Sequence, residues 1–414
     1  KEMDFSPAEN PTRGYYGEAY TQINQLNGIA LHDSGYQGEG MVIAVLDGGF
    51  IGADQHHAFD NMREEGRLLG TRDFVYGSTS VYTQSSHGTA CLSTIGGYDP
   101  QTFVGTAPKA SFYLIHTEDG NQENIIEEYN WVSGAEYADS LGVDVCSTSL
   151  GYIDFDMTEW SHPFEHYDGQ TAPMTIGANI AATRGMVCLN SAGNEGDGVC
   201  TLGVPADSDG VITIGAVDEN GSRAFFSSVG PTYDGRIKPD VMAMGYNTYV
   251  ASPDGGYYHG SGTSFSCPVM AGMVTCFWQA FPNATAAEIR DAVRNCSDHA
   301  ENPDTIEYQY GYGIPDFVKG LDILPVHELP SEVSEIISVY PNPSFGNVRV
   351  ALKEGAEAEL SVYDYTGRFI FARHFNGLNH TSLENRLNEL GAGVYFINVS
   401  SEVGSQTVKL VKTK

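Results

Sequence analysis

Basic residues are scarce in this chain of 414 residues, which has 21 Lys and Arg against 53 Asp and Glu and a formal net charge of −32. The imbalance lies in the first 330 residues, which hold 13 basic and 44 acidic residues, whereas the counts from Ser331 onward are 8 and 9. Because so acidic a surface repels phosphate groups, nucleic acids and anionic membranes are not expected as partners. The charge fits a soluble extracellular protein.

Long apolar runs are also lacking. No stretch approaches the roughly 18–20 uninterrupted apolar residues that a transmembrane helix needs, and no segment has the pattern of a secretory signal peptide. The chain begins at Lys1 rather than at a methionine, so we expect a processed or engineered fragment. Seven cysteines, an odd number, exclude complete internal disulfide pairing.

A serine stands at the start of one apolar segment of helical length. Gly262, Thr263 and Ser264 precede the small and apolar run 269–281, so the hydroxyl of Ser264 is expected at a helix N-terminus. Free backbone N–H groups and the helix dipole stabilise developing negative charge there, as a serine that attacks a carbonyl requires. A Gly-Thr-Ser turn that caps a buried helix fits this run equally well when it is taken alone.

Two further segments bear on that choice. Asp47 follows the apolar run 41–46, which predicts a buried parallel strand, and open α/β sheets place their sites at the carboxyl ends of such strands. His87 begins another predicted apolar helix. Each has a structural alternative, as a turn residue or as the neighbour of a helix cap. Together, however, Asp, His and Ser occur in one of the known chain orders of a Ser-His-Asp triad.

Here the chain resembles the subtilisin-like serine proteases (subtilases), whose motifs are Asp-x-Gly, His-Gly-Thr and Gly-Thr-Ser-x-x-x-Pro. The matching residues are 47–49, 87–89 and 262–268, and segment 190–196 resembles the oxyanion-hole segment of that family. With further similarity at 226–231, 234–240 and 310–313, the resemblance covers about residues 22 to 324. Four residues depart from the usual pattern of that family: Gly48, Ala90, Phe265 and Ser266. None of these departures removes a proton-transfer group, so they bear on substrate preference and packing.

The resemblance implies an α/β fold, a subtilisin-like doubly wound and mostly parallel sheet over residues 1–328, with 1–38 as an N-terminal extension packed on it. It also implies a secreted serine endopeptidase with Ser264 as nucleophile, His87 as general base and acid, and Asp47 as the orienting carboxylate. Asn194 and the backbone N–H of Ser264 would bind the oxyanion. Two alternatives stay open: a catalytically silent binding protein with this fold, and a peptide ligase or macrocyclase that passes the acyl group to an amine.

The resemblance also implies where a substrate lies. Two strand edges, Ser149–Leu150–Gly151 and Ser191–Ala192–Gly193, would flank the primary specificity pocket and pair with an extended peptide. These edges carry no obvious charge, so we expect a preference for uncharged or apolar residues at the cleaved position. An N-terminal prosegment is implied as inhibitor and folding assistant.

No cofactor is implied for catalysis, although acidic loops are candidates for a structural calcium ion. Those loops are 98–101, 154–156 and 207–209, and no ligand set is assigned among them. Cys188 and Cys200 bracket the oxyanion segment and are the pair we would choose for a disulfide. Cys91, Cys267 and Cys276 are expected to be small buried residues in or near the two catalytic helices.

The pattern changes after Leu324. A polar, proline-bounded stretch predicts a linker at 329–336, and alternating runs at 348–352, 359–363, 369–373, 394–399 and 406–411 predict a small all-β immunoglobulin-like sandwich over 337–414. Segments 339–343, 363–368 and 390–395 resemble the C-terminal sorting domains of type IX secretion in Bacteroidetes-type bacteria. This implies the secretion machinery as a partner and export through the periplasm to the outer membrane surface or the medium. A generic accessory sandwich is the alternative.

Overall fold

The computed structural model describes residues 11–78, 80–324, 337–340, 342, 344, 349–352, 357–376, 386–401 and 404–413. The chain divides into two compact units: the described residues up to Asp139 and Val143–Leu324 form the first, and those from Ile337 onward, grouped with Ser140–Gly142, form the second. The predicted linker at 329–336 lies outside the described residues. No helix in the described part of the chain is both long and apolar enough to span a bilayer.

A seven-stranded parallel sheet forms the centre of the first unit, in the order β2-β5-β1-β6-β7-β8-β9. Strands β1, β6, β7, β8 and β9 are buried along their whole length, as expected for a parallel sheet covered on both faces. The strands of this unit are β1 Val42–Asp47, β2 Leu68–Asp73, β3 Tyr98–Asp99, β4 Phe103–Val104, β5 Ser111–His116, β6 Val145–Thr148, β7 Val187–Ser191, β8 Val211–Val217, β9 Val241–Met244, β10 Thr248–Ala251 and β11 Tyr257–Gly260.

Helices cover the sheet, and the largest contribution to the core comes from α8, which packs against α5 and against strands β6 to β9. Fourteen of its residues are buried, because its sequence is small and apolar all round. The helices are α1 Pro11–Tyr16, α2 Tyr20–Asn24, α3 Gly28–Asp33, α4 Asp60–Glu64, α5 His87–Gly96, α6 Ile126–Ser140, α7 Pro173–Thr183, α8 Thr263–Ala280, α9 Ala286–Asn295 and α10 Phe317–Ile323.

The direction of winding reverses beside β1. The chain first adds β2 and β5 on one side of β1 and then adds β6 to β9 on the other. In open parallel sheets the crevice at such a reversal, outside the carboxyl ends of the strands, is where ligands bind. Asp47 is the last residue of β1, so it lies at this reversal. The predicted doubly wound parallel sheet is therefore confirmed.

The second unit is antiparallel and all-β in its described strands, as predicted. One sheet has four strands in the order β15-β14-β16-β17, and another pairs β12 with β13. The core contains Leu360, Val362, Ile397, Val399 and Leu410, which face inward at alternate positions. The strands are β12 Ile337–Tyr340, β13 Arg349–Leu352, β14 Glu357–Asp364, β15 Phe369–Asn376, β16 Gly393–Ser401 and β17 Gly404–Lys412.

The disulfide expected between Cys188 and Cys200 is not formed, and that prediction is wrong. All seven cysteines lie in the described residues and all are free thiols. Cys188 is inside β7 opposite Cys146 of β6, and its interaction with the Cys146 thiol, together with burial, raises the pKa of the Cys188 thiol well above its usual value. Because side chains of a strand point alternately to its two faces, the sheet fixes which way this thiol points. Cys91, Cys267 and Cys276 are buried, as expected.

Candidate active site

A carboxylate and an imidazole meet at the carboxyl end of β1. Asp47 is fully buried, and its Oδ1 accepts a hydrogen bond from the backbone N–H of Gly48 at 2.8 Å. Nδ1 of His87, the first residue of α5, lies 2.8 Å from Oδ1 and 3.1 Å from Oδ2 of Asp47. The imidazole therefore turns its Nδ1 to the carboxylate and leaves Nε2 on the opposite side of the ring. The His87 side chain remains 36% exposed.

This pairing changes the proton affinity of the imidazole. The Asp47 carboxylate, with a smaller contribution from the neighbouring Cys91 thiol, raises the pKa of His87 well above its usual value, although burial acts in the opposite direction. An opposite charge within hydrogen-bonding distance favours the protonated ring. The Asp47–His87 pair is thus arranged to stabilise an imidazolium ion.

Ser264 is the second residue of α8. Its backbone carbonyl accepts a hydrogen bond from Ser149 Oγ at 2.8 Å and another from the Cys91 thiol at 3.3 Å. That thiol also lies 3.8 Å from Nδ1 of His87, so a single side chain separates the Ser264 backbone from the imidazole. The hydroxyl of Ser264 is turned to the carbonyl of Ser149, at 3.5 Å.

A side-chain amide lies beside the start of α8. Oδ1 of Asn194 accepts hydrogen bonds from the backbone N–H of Thr263 at 2.9 Å and from Thr263 Oγ1 at 3.1 Å. These two donors fix the orientation of the amide, because only its oxygen accepts hydrogen bonds. The Nδ2 hydrogens of Asn194 therefore point away from Thr263, beside the first turn of a helix where backbone N–H groups lack intrahelical partners.

The two expected pocket edges leave the sheet side by side. Strands β6 and β7 are adjacent and parallel, so residues 149–151 and 191–193 emerge at the same end. Asn190 joins them, because its Nδ2 donates to the carbonyl oxygens of Leu150 at 3.0 Å and of Ser191 at 2.8 Å. We did not predict this role for Asn190; its only signal in the sequence is an amide within an otherwise apolar strand.

The four predicted catalytic residues and most of the two pocket edges border one cleft, which has a cavity volume of about 370 Å³. Asp47, His87, Asn194 and Ser264 line it. The pocket edges contribute Ser149, Leu150, Gly151, Ser191 and Gly193, whereas Ala192 is fully buried and does not border it.

Three carboxyl groups also line this cleft, those of Glu118, Glu123 and Glu195. The cleft as a whole is therefore acidic, whereas the edges 149–151 and 191–193 carry no charged side chain, so the expected preference for uncharged or apolar residues at the cleaved position stays a prediction. The acidity has a topological reason: Glu118 and Glu123 belong to the loop that follows β5, a part of the chain distant in sequence from both pocket edges. Burial, with added repulsion from Asp47, raises the pKa of Glu118 to about 8.

The candidate calcium loops already use their carboxylates within the protein. Asp207 accepts from the backbone N–H of Gly169 at 2.8 Å and from Thr175 Oγ1 at 2.6 Å, and Asp209 pairs with Arg236 at 2.9 Å. Asp99 accepts from Tyr257 at 3.0 Å. Calcium binding stays a prediction.

Comparison with known proteins identifies the class. A model of the subtilase family matches residues 38–313, and a model of the secretion system C-terminal sorting domain matches residues 338–413. Subtilisin NAT of Bacillus subtilis subsp. natto is 33% identical over 297 residues, which are 70% of this chain and 68% of the relative. Serine protease AprX of Bacillus subtilis (strain 168) is 28% identical over 320 residues, with 70% and 69% covered.

Solved structures share the fold. The MycP3 protease from the type VII (ESX-3) secretion system has a TM-score of 0.61 at 18% identity, with 76% of this chain and 89% of that chain covered. MycP1 with its N-terminal propeptide removed has a TM-score of 0.58 at 21% identity, with 73% and 96% covered.

Fold and cleft thus define a subtilisin-type hydrolase with a C-terminal sorting domain. The chain belongs to the subtilase family. It is a serine protease, and its sorting domain directs it to secretion or to export to the cell surface. The family, the hydrolase activity and the sorting domain predicted from the sequence are confirmed.

Proposed function

We propose that the chain is an endopeptidase that cleaves internal peptide bonds through an acyl-enzyme on Ser264. The observation that carries this proposal is the Asp47–His87 pair, 2.8 Å apart, in the same cleft as Ser264 at the start of α8. His87 is the general base and acid, and Asp47 fixes the ring so that Nδ1 carries its proton and Nε2 is free to accept one.

The first step moves one proton. Ser264 rotates about its Cα–Cβ bond, which turns its Oγ from the carbonyl of Ser149 to Nε2 of His87. Oγ then attacks the peptide carbonyl while the imidazole takes the hydroxyl proton. The resulting imidazolium lies against the Asp47 carboxylate. Because that carboxylate raises the pKa of His87, it favours transfer of the proton to the imidazole.

The second step breaks the peptide bond. The tetrahedral intermediate collapses to an ester on Ser264, and the amine leaves with the proton from His87. Water then attacks the ester with the same base, and the acid product leaves. Asn194 Nδ2 and the backbone N–H of Ser264 donate to the oxyanion in both steps. Donors of this kind act strongly because they are positioned before charge develops.

An extended substrate pairs with the edges 149–151 and 191–193, and its cleaved residue lies between them. The amide of Asn190, which bonds to both edges, keeps their separation fixed. Added-strand pairing of this kind gives affinity through main-chain hydrogen bonds and specificity through the side-chain pockets.

We further propose that residues 1–328 and 337–414 are separate domains joined by 329–336. The sorting domain would engage type IX secretion machinery after transit through the periplasm and bring the protease to the outer membrane surface or the medium. An N-terminal prosegment would inhibit the cleft until it is removed; the similar structure of MycP1 is that of a protein with its N-terminal propeptide removed. A structural calcium ion is part of this proposal without an assigned site.

The test is digestion of a mixed peptide library with the full chain, beside Ser264→Ala and His87→Ala variants. We expect internal cleavages that both substitutions abolish. Mass spectrometry of the products separates hydrolysis, which adds one water per bond cut, from transfer of the acyl group to another amine. Internal cleavage that persists in Ser264→Ala would refute the proposal, and so would products formed only by ligation.

A further inference from the structure

One wall of the cleft, formed by Glu118, Glu123 and Tyr152, has no role in the proposed mechanism. Tyr152 directly follows the edge 149–151. The edge 149–151 pairs with the acyl part of the substrate in the proposed function. Residues that precede the cleaved one therefore pass this wall.

The phenol hydroxyl of Tyr152 is an unusual feature of that wall. Tyr152 is only 2% exposed, yet its hydroxyl has no hydrogen-bond partner among the described residues. Buried polar atoms are nearly always paired, and an unpaired one is costly unless a ligand or water completes it. Burial raises the pKa of this phenol, and the charge of Glu118 raises it further. Both residues line the same cleft.

Glu118 owes its place to the sheet. His116, the last residue of β5, is in register with Asp47 of β1, so the loop that leaves β5 runs beside Gly48. The Glu118 Oε1 would lie 3.6 Å from a Cβ placed on Gly48. A serine or threonine at residue 48 would extend its side chain toward this carboxyl group. Glycine leaves that side of the wall open.

The charge around this wall is of one sign. None of the residues that line the cleft, all of which are described, is Lys or Arg. The titratable groups that interact with Glu118 come from several neighbouring elements. They are Asp47 of β1, His87 of α5, Glu123 of the loop after β5, Glu127 of α6, and Tyr152. Only His87 among them carries positive charge when protonated. A cation at this wall would relieve the repulsion among the carboxyl groups.

We propose that Glu118, with Tyr152 and Glu123, binds a basic side chain of the substrate, at a residue that precedes the cleaved one. A guanidinium group suits this wall, because it donates several hydrogen bonds in one plane and can reach both a carboxylate and a phenol oxygen. The inference rests on the proposed function, since it assigns a preference to the same cleft. It concerns a different position from the expected uncharged or apolar preference, which applies to the cleaved residue itself.

The pH dependence follows from the state of Glu118. Without a cation the pKa of its carboxyl group is about 8, so the group is mostly neutral near pH 7 and ionised above pH 8. A basic substrate side chain binds the ionised form more tightly. The preference for a basic residue should therefore increase as the pH rises through 8.

The experiment uses the full chain and matched peptides. They carry arginine, or citrulline as its neutral isostere, at one of the three residues that precede the cleaved residue, which is the same in all peptides. We expect kcat/KM to favour arginine by about tenfold or more at one position, the scale that a hydrogen bond to a charged group supports. Glu118→Gln should reduce this ratio to near one. Tyr152→Phe, which removes only the hydroxyl, should lower it several-fold, and Glu219→Gln, an exposed site outside the cleft, should leave it unchanged.

The ratio between paired peptides cancels every pH effect that acts equally on both peptides. A ratio in the unmodified protein that rises between about pH 6.5 and pH 9.5 supports the inference without any variant. A ratio near one at every position and pH overturns the inference. If Ser264 still cleaves the citrulline peptides in that case, the proposed function stands. A preference for arginine that Glu118→Gln leaves intact also overturns the inference. Absence of Ser264-dependent cleavage of any peptide would refute the proposed function and the inference together.

Discussion

Substitution of Asp47 by Asn tests the central pair of the site. The asparagine Oδ1 still accepts from the backbone N–H of Gly48, so the fold should persist, but the charge beside His87 is lost. At the observed 2.8 Å and an effective dielectric constant of about 20, the attraction to an imidazolium is about 6 kcal/mol. The imidazole is 36% exposed, so solvent screening leaves about 4 kcal/mol. We therefore expect a loss of about 10³-fold in kcat/KM.

The assay is hydrolysis of a chromogenic peptide across pH, with circular dichroism as the check on folding. The unprotonated imidazole is the active base, so activity rises with pH through the pKa of His87. Because Asp47 raises that pKa, its removal should also move the midpoint of the residual activity to lower pH. Asp54→Asn, an exposed carboxylate nearby, is the matched control. An Asp47→Asn variant that keeps a tenth of the activity, or an unchanged midpoint, would refute the assigned role.

Three further predictions concern the rest of the cleft and the domains. Asn194→Ala should lower kcat by about 100- to 1000-fold with KM nearly unchanged, the effect of losing one oxyanion donor; steady-state kinetics that show a raised KM and normal kcat would remove Asn194 from that role. Asn190→Ala should raise KM and destabilise the first unit by about 1–3 kcal/mol, because two buried carbonyl groups lose their donor; thermal unfolding and kinetics check this, and unchanged values of both would contradict it. Limited proteolysis should cut between residues 325 and 337 and leave a stable fragment with the first unit, as analysed by mass spectrometry; digestion without such a fragment would count against two independent domains.

The elements that carry Asp47 and Ser264 were predictable because their signals are local. An unbroken apolar run before Asp47 predicts a buried parallel strand, and the small apolar residues after Ser264 predict a buried helix; the structure has β1 and α8 at these places. The alternating runs after Leu324 predict strands for the same reason. Periodicity and motif spacing act within one segment, so the sequence alone displays them.

The features that were missed depend on which strands become neighbours. Glu118 stands in the polar run Thr117–Gly120, which resembles any solvated loop. Only the pairing of β5 with β1 brings it beside Gly48. Cys188 and Cys200 suggest a disulfide because they bracket the oxyanion segment, yet strand pairing places Cys188 opposite Cys146. The charge of the cleft and the pairing of the thiols depend on residues that become neighbours only in the folded chain. No single segment of the sequence therefore reveals them.

The charge of Glu118 and the charge of His87, the proposed general base, affect each other. Protonated His87 lowers the pKa of Glu118, so by reciprocity an ionised Glu118 stabilises protonated His87 and opposes formation of the neutral base. A substrate cation bound to Glu118 would offset that charge and favour the neutral imidazole. A basic residue at this wall should therefore increase kcat as well as lower KM, whereas simple ground-state binding would lower KM alone. Separate values of kcat and KM for the arginine and citrulline peptides, at a pH above 8, decide between these two accounts.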